Sequence, residues 1–174
     1  MKACRRLPIR LTTKAEELVM SNNNGKSRTK EERDAFVAKR REAREQCIAI
    51  LFEMTFTDDS YQDIIDTAVE SRLIVADKFT IKVLEYFTKH RSEIDDVIKA
   101  NIKGWTFERL SRVPLSVIRL ALCEIRCCKT PESVAINEAV ELTKKYGAEK
   151  EASFVNAVLG AAVRKEDNDN KNEQ

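Results

Sequence analysis

The chain has 174 residues, 43% of them hydrophobic, which is enough for one domain with its own core. Its net charge is only +2, which by itself predicts nothing about nucleic-acid binding, so the distribution of charge is more informative. Residues 1–44 carry 13 Lys and Arg against 6 Asp and Glu, a net of +7, which leaves −5 for residues 45–174. A basic leading segment on a mildly acidic body favours one localised contact with a polyanion.

Cysteine usage indicates a reducing, cytoplasmic location. The five cysteines are an odd number, and four of them lie in apolar helical contexts, so they resemble small hydrophobic residues and not a disulfide framework. No apolar run approaches the roughly 18 residues of a membrane span. The N-terminal sequence also lacks the uninterrupted apolar region of a secretory signal. The cysteines are Cys4, Cys47, Cys123, Cys127 and Cys128.

The residues that enzymes and metal sites need are scarce. His90 is the single histidine and lies in a Lys-His-Arg run, which does not favour a Ser-His-Asp or Cys-His pair. Cys123, Cys127 and Cys128 lack the paired spacing of a zinc site. Four glycines in the whole chain provide no phosphate-binding loop. The sequence therefore predicts no enzyme, no cofactor and no metal.

Three segments are predicted along the chain. Residues 1–30 hold 8 Lys and Arg with two acids, and we expect this N-terminal extension to be disordered. An organelle transit peptide and a true start at Met20 are alternatives for the same segment. Residues 31–165 form the predicted helical domain, and the polar residues 166–174 form a tail that we expect to be disordered.

Hydrophobic spacing predicts an all-α fold of about seven helices. The first begins near Ser27–Glu32 and continues to about Phe56, and Asp59 or Ser60 is suited to cap the second. Residues 77–89 and 92–102 are predicted as separate helices, the latter capped by Ser92. The helix over residues 115–128 is apolar on most sides and belongs in the centre. Further helices are predicted over residues 130–146 and around 154–163.

The first helix has an unusual distribution of charge. Its first half holds Lys39, Arg40, Arg41 and Arg44, and its second half is apolar from Cys47 onward. Cations near a helix N-terminus oppose the macrodipole, so this cluster needs an anionic partner or a neighbouring carboxylate. A simple solvated face remains the alternative interpretation. The pattern is typical of a helix that is anchored at one end and presents cations at the other.

Four later stretches resemble the transcription antitermination factor family NusB. They are VPLSVIRLALCEI followed by VAINEAVELTKKY, and then the Gly-Ala-Glu and FVNAVL stretches near the C-terminus. The arginine-rich first helix is similar to that of the family, and the likeness covers roughly residues 35–163. Resemblance to NusB implies an all-helical fold of two packed helical halves. It also implies a non-enzymatic protein that binds single-stranded boxA RNA of rRNA operon transcripts together with NusE, a small-subunit ribosomal protein, and helps RNA polymerase resist termination.

By the same resemblance, Arg40, Arg41 and Arg44 are expected to contact RNA on one groove, with Lys39 as a supplementary cation. Arginine suits this role because its planar fork binds phosphate and stacks on unpaired bases. Two aromatic residues, Phe52 and Phe154, are also candidate contacts, although core packing explains either equally well. Other residues of the family motifs are interpreted as polar groups that fasten helices together: Arg119, Glu124, Asn137, Glu138 and Asn156.

The chain departs from the family pattern at Lys150, where an acidic residue is common. If this position adjoins RNA, a lysine adds affinity without sequence selectivity, because phosphate contacts carry no sequence information. Two other functions stay open. One is a helical adaptor that binds protein only. The other is an RNA-modifying enzyme, but the sequence has no Gly-rich nucleotide-binding segment, which argues against it. A homodimer is also left open, because apolar helix faces serve either a dimer or the core.

Overall fold

The computed structural model describes residues 29–57, 59–71 and 77–172, and the side chains up to Arg164. The predicted disorder of residues 1–30 therefore falls almost entirely outside the described positions. Six α-helices and no strand occur in the described ranges, which confirms the all-α prediction. The helices are α1 Lys30–Glu53, α2 Tyr61–Glu70, α3 Lys78–Asn101, α4 Arg112–Cys128, α5 Glu132–Tyr146 and α6 Glu149–Asn172, and a short 3-10 helix covers Phe107–Arg109.

Helix starts follow the capping residues of the sequence. At the start of α1, the backbone N–H of Glu32 donates to the Thr29 hydroxyl at 3.2 Å, and the Thr29 N–H donates to the Glu32 carboxylate at 2.9 Å. This reciprocal pair is a capping box. Ser60 caps α2 by accepting from the Asp63 N–H at 3.2 Å, as the sequence predicts. Each cap satisfies backbone donors that the first helical turn leaves without a partner.

The helix count differs from the prediction because the two helical stretches within residues 78–101 meet at a kink without a gap and are counted as one helix. His90 alone departs from helical geometry, with φ −118° and ψ 21°, and the result is a kink. No proline or glycine interrupts the stretch, and the apolar stripe continues across the kink from Phe87 to Ile94, both fully buried. The expected cap at Ser92 was wrong for this reason. The His90 ring stacks on Tyr86 with centroids 4.3 Å apart.

Helix α4 lies at the centre of the core, as its nearly continuous apolar sequence predicts. It packs against α3, α5 and α6, and Val117, Ile118 and Cys123 are fully buried. Within residues 39–164, α1 contributes Cys47, Ile50 and Leu51 to the same core. The anchoring half of α1 therefore begins near Ala43, the first buried residue of the helix.

Two further predictions concern the polar residue Arg119 and the C-terminal tail. Arg119 fastens α4 to α3 through two bonds to Asp95, at 2.8 and 2.9 Å, as expected for a polar group in an apolar helix. Helix α6 continues to Asn172, into the polar tail that is predicted from residue 166. Once a packed helix has formed, adding a residue requires no new nucleus.

None of the helices in the described part of the chain is long and apolar enough for a membrane span.

Candidate nucleic-acid interface

The basic residues of α1 point in different directions. Successive helical residues are rotated by about 100°, so Arg40 and Arg41 leave the helix on different sides. The guanidinium of Arg40 lies over the Phe79 ring of α3, 4.1 Å from its centroid, whereas Arg41 reaches Glu138 of α5. The expected single groove lined by three arginines is therefore not what the structure has.

Arg44 lies in the core. It is 5% exposed and forms a bidentate pair with Glu124 of α4, with nitrogen–oxygen distances of 2.9 and 2.7 Å. A third nitrogen lies 3.2 Å from a carboxylate oxygen of Glu138. Thr130 completes the network by donating its hydroxyl to Glu124 at 2.9 Å. The charge of Arg44 is thus matched by carboxylates inside the protein. Arg44 was expected on an RNA-facing groove, but it lies in the core and joins α1, α4 and α5.

Arg41 shares Glu138 with Arg44 but lies at the surface. Its side chain is 60% exposed, and its Nε and Nη2 atoms bond to the Glu138 carboxylate at 3.2 to 3.3 Å. The neighbouring carboxylate raises the pKa of Arg41, chiefly through the hydrogen bond. The Glu138 side chain is 12% exposed, so it holds Arg41 from below while the guanidinium stays open to solvent. Lys39 is also exposed at this end of α1.

A shallow groove of about 260 Å³ lies along α1 and begins at Glu45, four residues after Arg41. Glu45 lies at its edge and accepts hydrogen bonds from Lys145 and from the Tyr146 hydroxyl, at 2.5 and 2.8 Å. The bond from Lys145 is the main reason why the pKa of Glu45 is lowered. This groove, called the α1 groove below, is lined by Glu45, Ile48, Ala49, Phe52, Val113 and Tyr146.

The far end of the α1 groove carries an exposed aromatic pair. Phe52 is partly buried and meets Phe56 edge to face, with centroids 5.0 Å apart. Phe56 is 59% exposed, and the guanidinium of Arg112 lies 3.7 Å from its ring centroid. Arg112 is held by a 2.8 Å bond to the backbone carbonyl of Thr55. We call Phe52, Phe56 and Arg112 the stacking platform, because aromatic and guanidinium planes are the groups on which unpaired bases stack.

The two remaining candidates lie on α6. Lys150 is exposed in the first turn of the helix. Phe154 is partly buried and packs against Trp105, with centroids 6.1 Å apart, and Trp105 itself is 59% exposed. The core-packing interpretation thus applies to part of the Phe154 ring, while its neighbour presents the aromatic surface.

Sequence reasoning placed some motif residues correctly and missed others. Glu124 and Glu138 fasten helices together as predicted. Asn137 and Asn156 are instead exposed and line a groove between α5 and α6. The exposed residues Phe56, Arg112, Trp105 and Tyr146 were not identified. Their signal was weak, because an aromatic residue just outside a helix cannot be told from a core residue without the neighbouring elements.

Comparison with known proteins identifies the family. The family model described as NusB family matches residues 41–164. The transcription antitermination protein NusB of Finegoldia magna is 33% identical over 132 residues, which cover 74% of this chain and 96% of that protein. The chain belongs to the NusB family.

Solved NusB structures agree with this assignment. The T. maritima NusB structure is 30% identical with a TM-score of 0.64, and the match covers 72% of this chain and 90% of that one. A second structure contains the antitermination factors NusB and NusE in complex with double-stranded RNA, with 26% identity, a TM-score of 0.64, and coverage of 72% and 96%. The NusB model begins at Arg41, so the basic end of α1 lies at the border of the matched region. Among the side chains described, no group of three or more His, Cys, Asp or Glu residues has the arrangement of a metal site.

Proposed function

We propose that this NusB-family protein is a non-enzymatic transcription antitermination factor that binds single-stranded boxA RNA of rRNA operon transcripts together with a NusE partner. The observation that carries the proposal is the arrangement along α1. The cations Lys39, Arg40 and Arg41 lie near its middle, the α1 groove follows, and the stacking platform lies at its C-terminal end. Single-stranded RNA is recognised by this combination, with phosphates bound by cations and splayed bases stacked on aromatic rings.

The proposed RNA contacts are residues of α1 and its neighbours that lie outside the core. Lys39 and Arg41, which are exposed, and Arg40, which is partly buried over Phe79, supply phosphate contacts. Phe52 with its platform supplies stacking. Lys150 and Phe154 on α6 are further proposed contacts, with Lys150 acting on phosphates only. Arg44, by contrast, acts indirectly, because it fixes the position of Glu138 and thereby of Arg41.

The charges of the arginine network cancel, and this observation favours a second candidate function. Arg41 and Arg44 are both paired with carboxylates of the same chain, Glu138 and Glu124, so this network adds no net charge to the surface. A helical adaptor that binds protein partners without sequence-specific RNA recognition fits that balance. If the protein binds RNA, phosphate competes with Glu138 for the exposed face of Arg41. Single-stranded RNA binding and an adaptor function without sequence-specific RNA recognition differ in how strongly the affinity for RNA depends on salt concentration.

The deciding experiment is a salt titration of boxA RNA binding, with and without cognate NusE. In the wild-type protein, the logarithm of affinity should fall linearly with the logarithm of salt concentration. The double variant R40Q/R41Q should bind more weakly and with a shallower slope, by about 0.7 for each phosphate of a single strand that the variant no longer neutralises. K99Q is the matched control, since Lys99 is an exposed cation of α3 paired with Asp96 at 3.0 Å.

Three results would contradict the proposal. Wild-type affinity for boxA equal to that for a scrambled strand, or an unchanged slope in R40Q/R41Q, argues for the adaptor. Stronger binding of the same sequence as a duplex than as a single strand would exclude the stacking role of Phe52 and Phe56. Capture of NusE by both proteins in the absence of RNA would show that the variant remains folded.

A further inference from the structure

A second groove, of about 500 Å³, lies between α5 and α6 and is called the α5–α6 groove below. Its apolar lining residues are Ile136 and Val140, which are partly buried, and Ala152, which is buried. Its polar lining residues are all exposed, and they are Ser133, Asn137, Lys144, Ser153 and Asn156. The lining contains one cation and no aromatic ring, so the groove lacks the groups that bind phosphates and stack bases.

Two asparagines give the groove its hydrogen-bonding capacity. Asn137 precedes Gly147 by ten residues and Asn156 follows it by nine. Because a short connection makes α5 and α6 antiparallel neighbours, the two residues lie at the same level of the groove. Within the described part of the chain, neither side chain has a hydrogen-bond partner. An asparagine amide offers both donors and an acceptor, so each can pair with the N–H and C=O of a peptide group from another molecule.

The length of the groove and the charge at one end add to this pattern. Ser133 and Lys144 are eleven residues apart, or roughly 16 Å along α5, which is the length of about five extended residues. Lys144 lies at the end next to the connection and pairs with Glu141 at 2.7 Å, with side chains 51% and 55% exposed. An ion pair this exposed contributes little, so a carboxylate of a ligand can replace Glu141 as the partner of the ammonium.

We propose that the α5–α6 groove docks an extended peptide segment of a protein partner, with an apolar side chain on its floor and a carboxylate at the Lys144 end. Asn137 and Asn156 hold the backbone of the segment, and Ile136 and Val140 contact its apolar side chain. Backbone hydrogen bonds supply affinity in this mode of recognition, and the side-chain positions supply specificity. The docking site is separate from the α1 groove and does not depend on RNA binding.

The test selects random short peptides, displayed on phage, against the full chain. The selected sequences should share an apolar residue close to an Asp or Glu. A synthetic peptide of that sequence, titrated by fluorescence anisotropy, should bind the double variant N137A/N156A roughly tenfold more weakly than the wild type, because the bonds to its backbone are lost. The urea midpoint of the variant should be unchanged, since both side chains are exposed. Q62A is the control, since it removes a side-chain amide from α2, where Gln62 bonds to Asp66 at 2.9 Å.

Charge recognition has its own pair of variants. K144Q should weaken binding of the acidic peptide severalfold and leave unchanged the binding of the same peptide with Asn or Gln in place of the acid. K99Q should change neither, although Lys99 forms a comparable exposed pair with Asp96 three residues away, at 3.0 Å.

The outcome is independent of the proposed RNA contacts. R40Q/R41Q should bind the peptide as the wild type does, and N137A/N156A should keep the wild-type affinity for boxA RNA. Selection of no common sequence, or equal peptide affinity in N137A/N156A and the wild type, would overturn the proposal. Loss of RNA affinity in N137A/N156A with unchanged peptide affinity would assign the groove to RNA instead and overturn it as well.

Discussion

Arg41 and Arg44 are three residues apart on one helix, and burial gives them different roles. Arg44 is 5% exposed, whereas the Arg41 side chain is 60% exposed, and both contact the same Glu138 carboxylate. A buried cation must have its charge matched by partners, because desolvation otherwise outweighs what the pair contributes. Glu124 and Glu138 supply that match. Arg44 therefore has a role in stability, and the proposed contact with RNA is assigned to Arg41.

The variant R44Q should lower the free energy of unfolding by about 3–5 kcal/mol, since removing one partner of a buried ion pair leaves the other charge uncompensated. Here Glu124 would remain in the core without its guanidinium, and Glu138 would keep only its bonds to the exposed Arg41. Urea denaturation followed by circular dichroism measures the change. The prediction fails if R44Q unfolds at the wild-type urea concentration.

R41Q is the matched control for R44Q, because it removes the same chemical group from the surface. Exposed ion pairs contribute little to folding stability, so the urea midpoint should stay close to that of the wild type. Its RNA affinity should fall instead. Equal destabilisation by the two variants would show that the exposed pair with Glu138 is as important for folding as the buried one.

The separate roles of the arginines could not be predicted from sequence. Helical spacing shows that Arg44 follows Ala43 by one residue and precedes Cys47 by three, so its side of the helix was accessible to prediction. Its partner Glu124 is 80 residues away, and no local pattern links the two. The sequence correctly predicted that Glu124 and Glu138 hold helices together, but it did not show with which arginine each of them forms an ion pair.

At the level of elements, α1 carries both cationic and aromatic side chains along one helix. Arg41, Glu45, Ile48 and Phe52 recur at steps of four, three and four residues, so they share one helix face. Eleven residues of helix separate Arg41 from Phe52, a distance of roughly 16 Å. A single RNA strand that follows this face would meet cations first and aromatic rings last. The two ends should then respond differently to salt.

The variant F56A should weaken binding of single-stranded boxA RNA by about 1–3 kcal/mol, the range found for one base stacked on one aromatic ring. The salt slope should not change, because stacking releases no counterions. V69A is the control, since Val69 is an exposed apolar residue of α2 and is 43% exposed. Fluorescence anisotropy at several salt concentrations measures both quantities. A slope that falls in F56A, or an equal loss in V69A, would contradict the stacking role.

Element boundaries were predictable where a capping residue stands at a chain reversal. Ser60 caps α2 by a side-chain bond, and the start of α1 fell within the predicted range at Thr29 and Lys30. The predicted boundary between residues 89 and 92 is present as the kink at His90. Ser92 lies two residues past that kink, inside α3, where Phe87 and Ile94 on either side are both buried in the core. A polar residue near a break signals a cap only if the chain actually turns there.

At the scale of the whole molecule, charge is divided between the N-terminal third and the rest. Residues 2–26 contain six Lys and Arg and two Glu, a net of +4, whereas residues 45–174 have a net of −5. Within the described part of the chain, the buried core begins at Ala43. The sequence thus concentrates positive charge ahead of the described core.

Deletion of residues 2–26 should leave the urea midpoint unchanged, because the Thr29 capping box and the buried core from Ala43 onward are retained. It should lower the affinity for RNA of any sequence, and the salt slope should become shallower by about 0.7 for each phosphate that the shortened chain no longer neutralises. Specificity for boxA over a scrambled strand should remain, because phosphate contacts carry no sequence information. A full-length variant with the six cations replaced by Gln separates charge from chain length. If that variant keeps the wild-type slope while the deletion does not, the segment acts through something other than charge, and the cations of α1 account for the ionic part of binding.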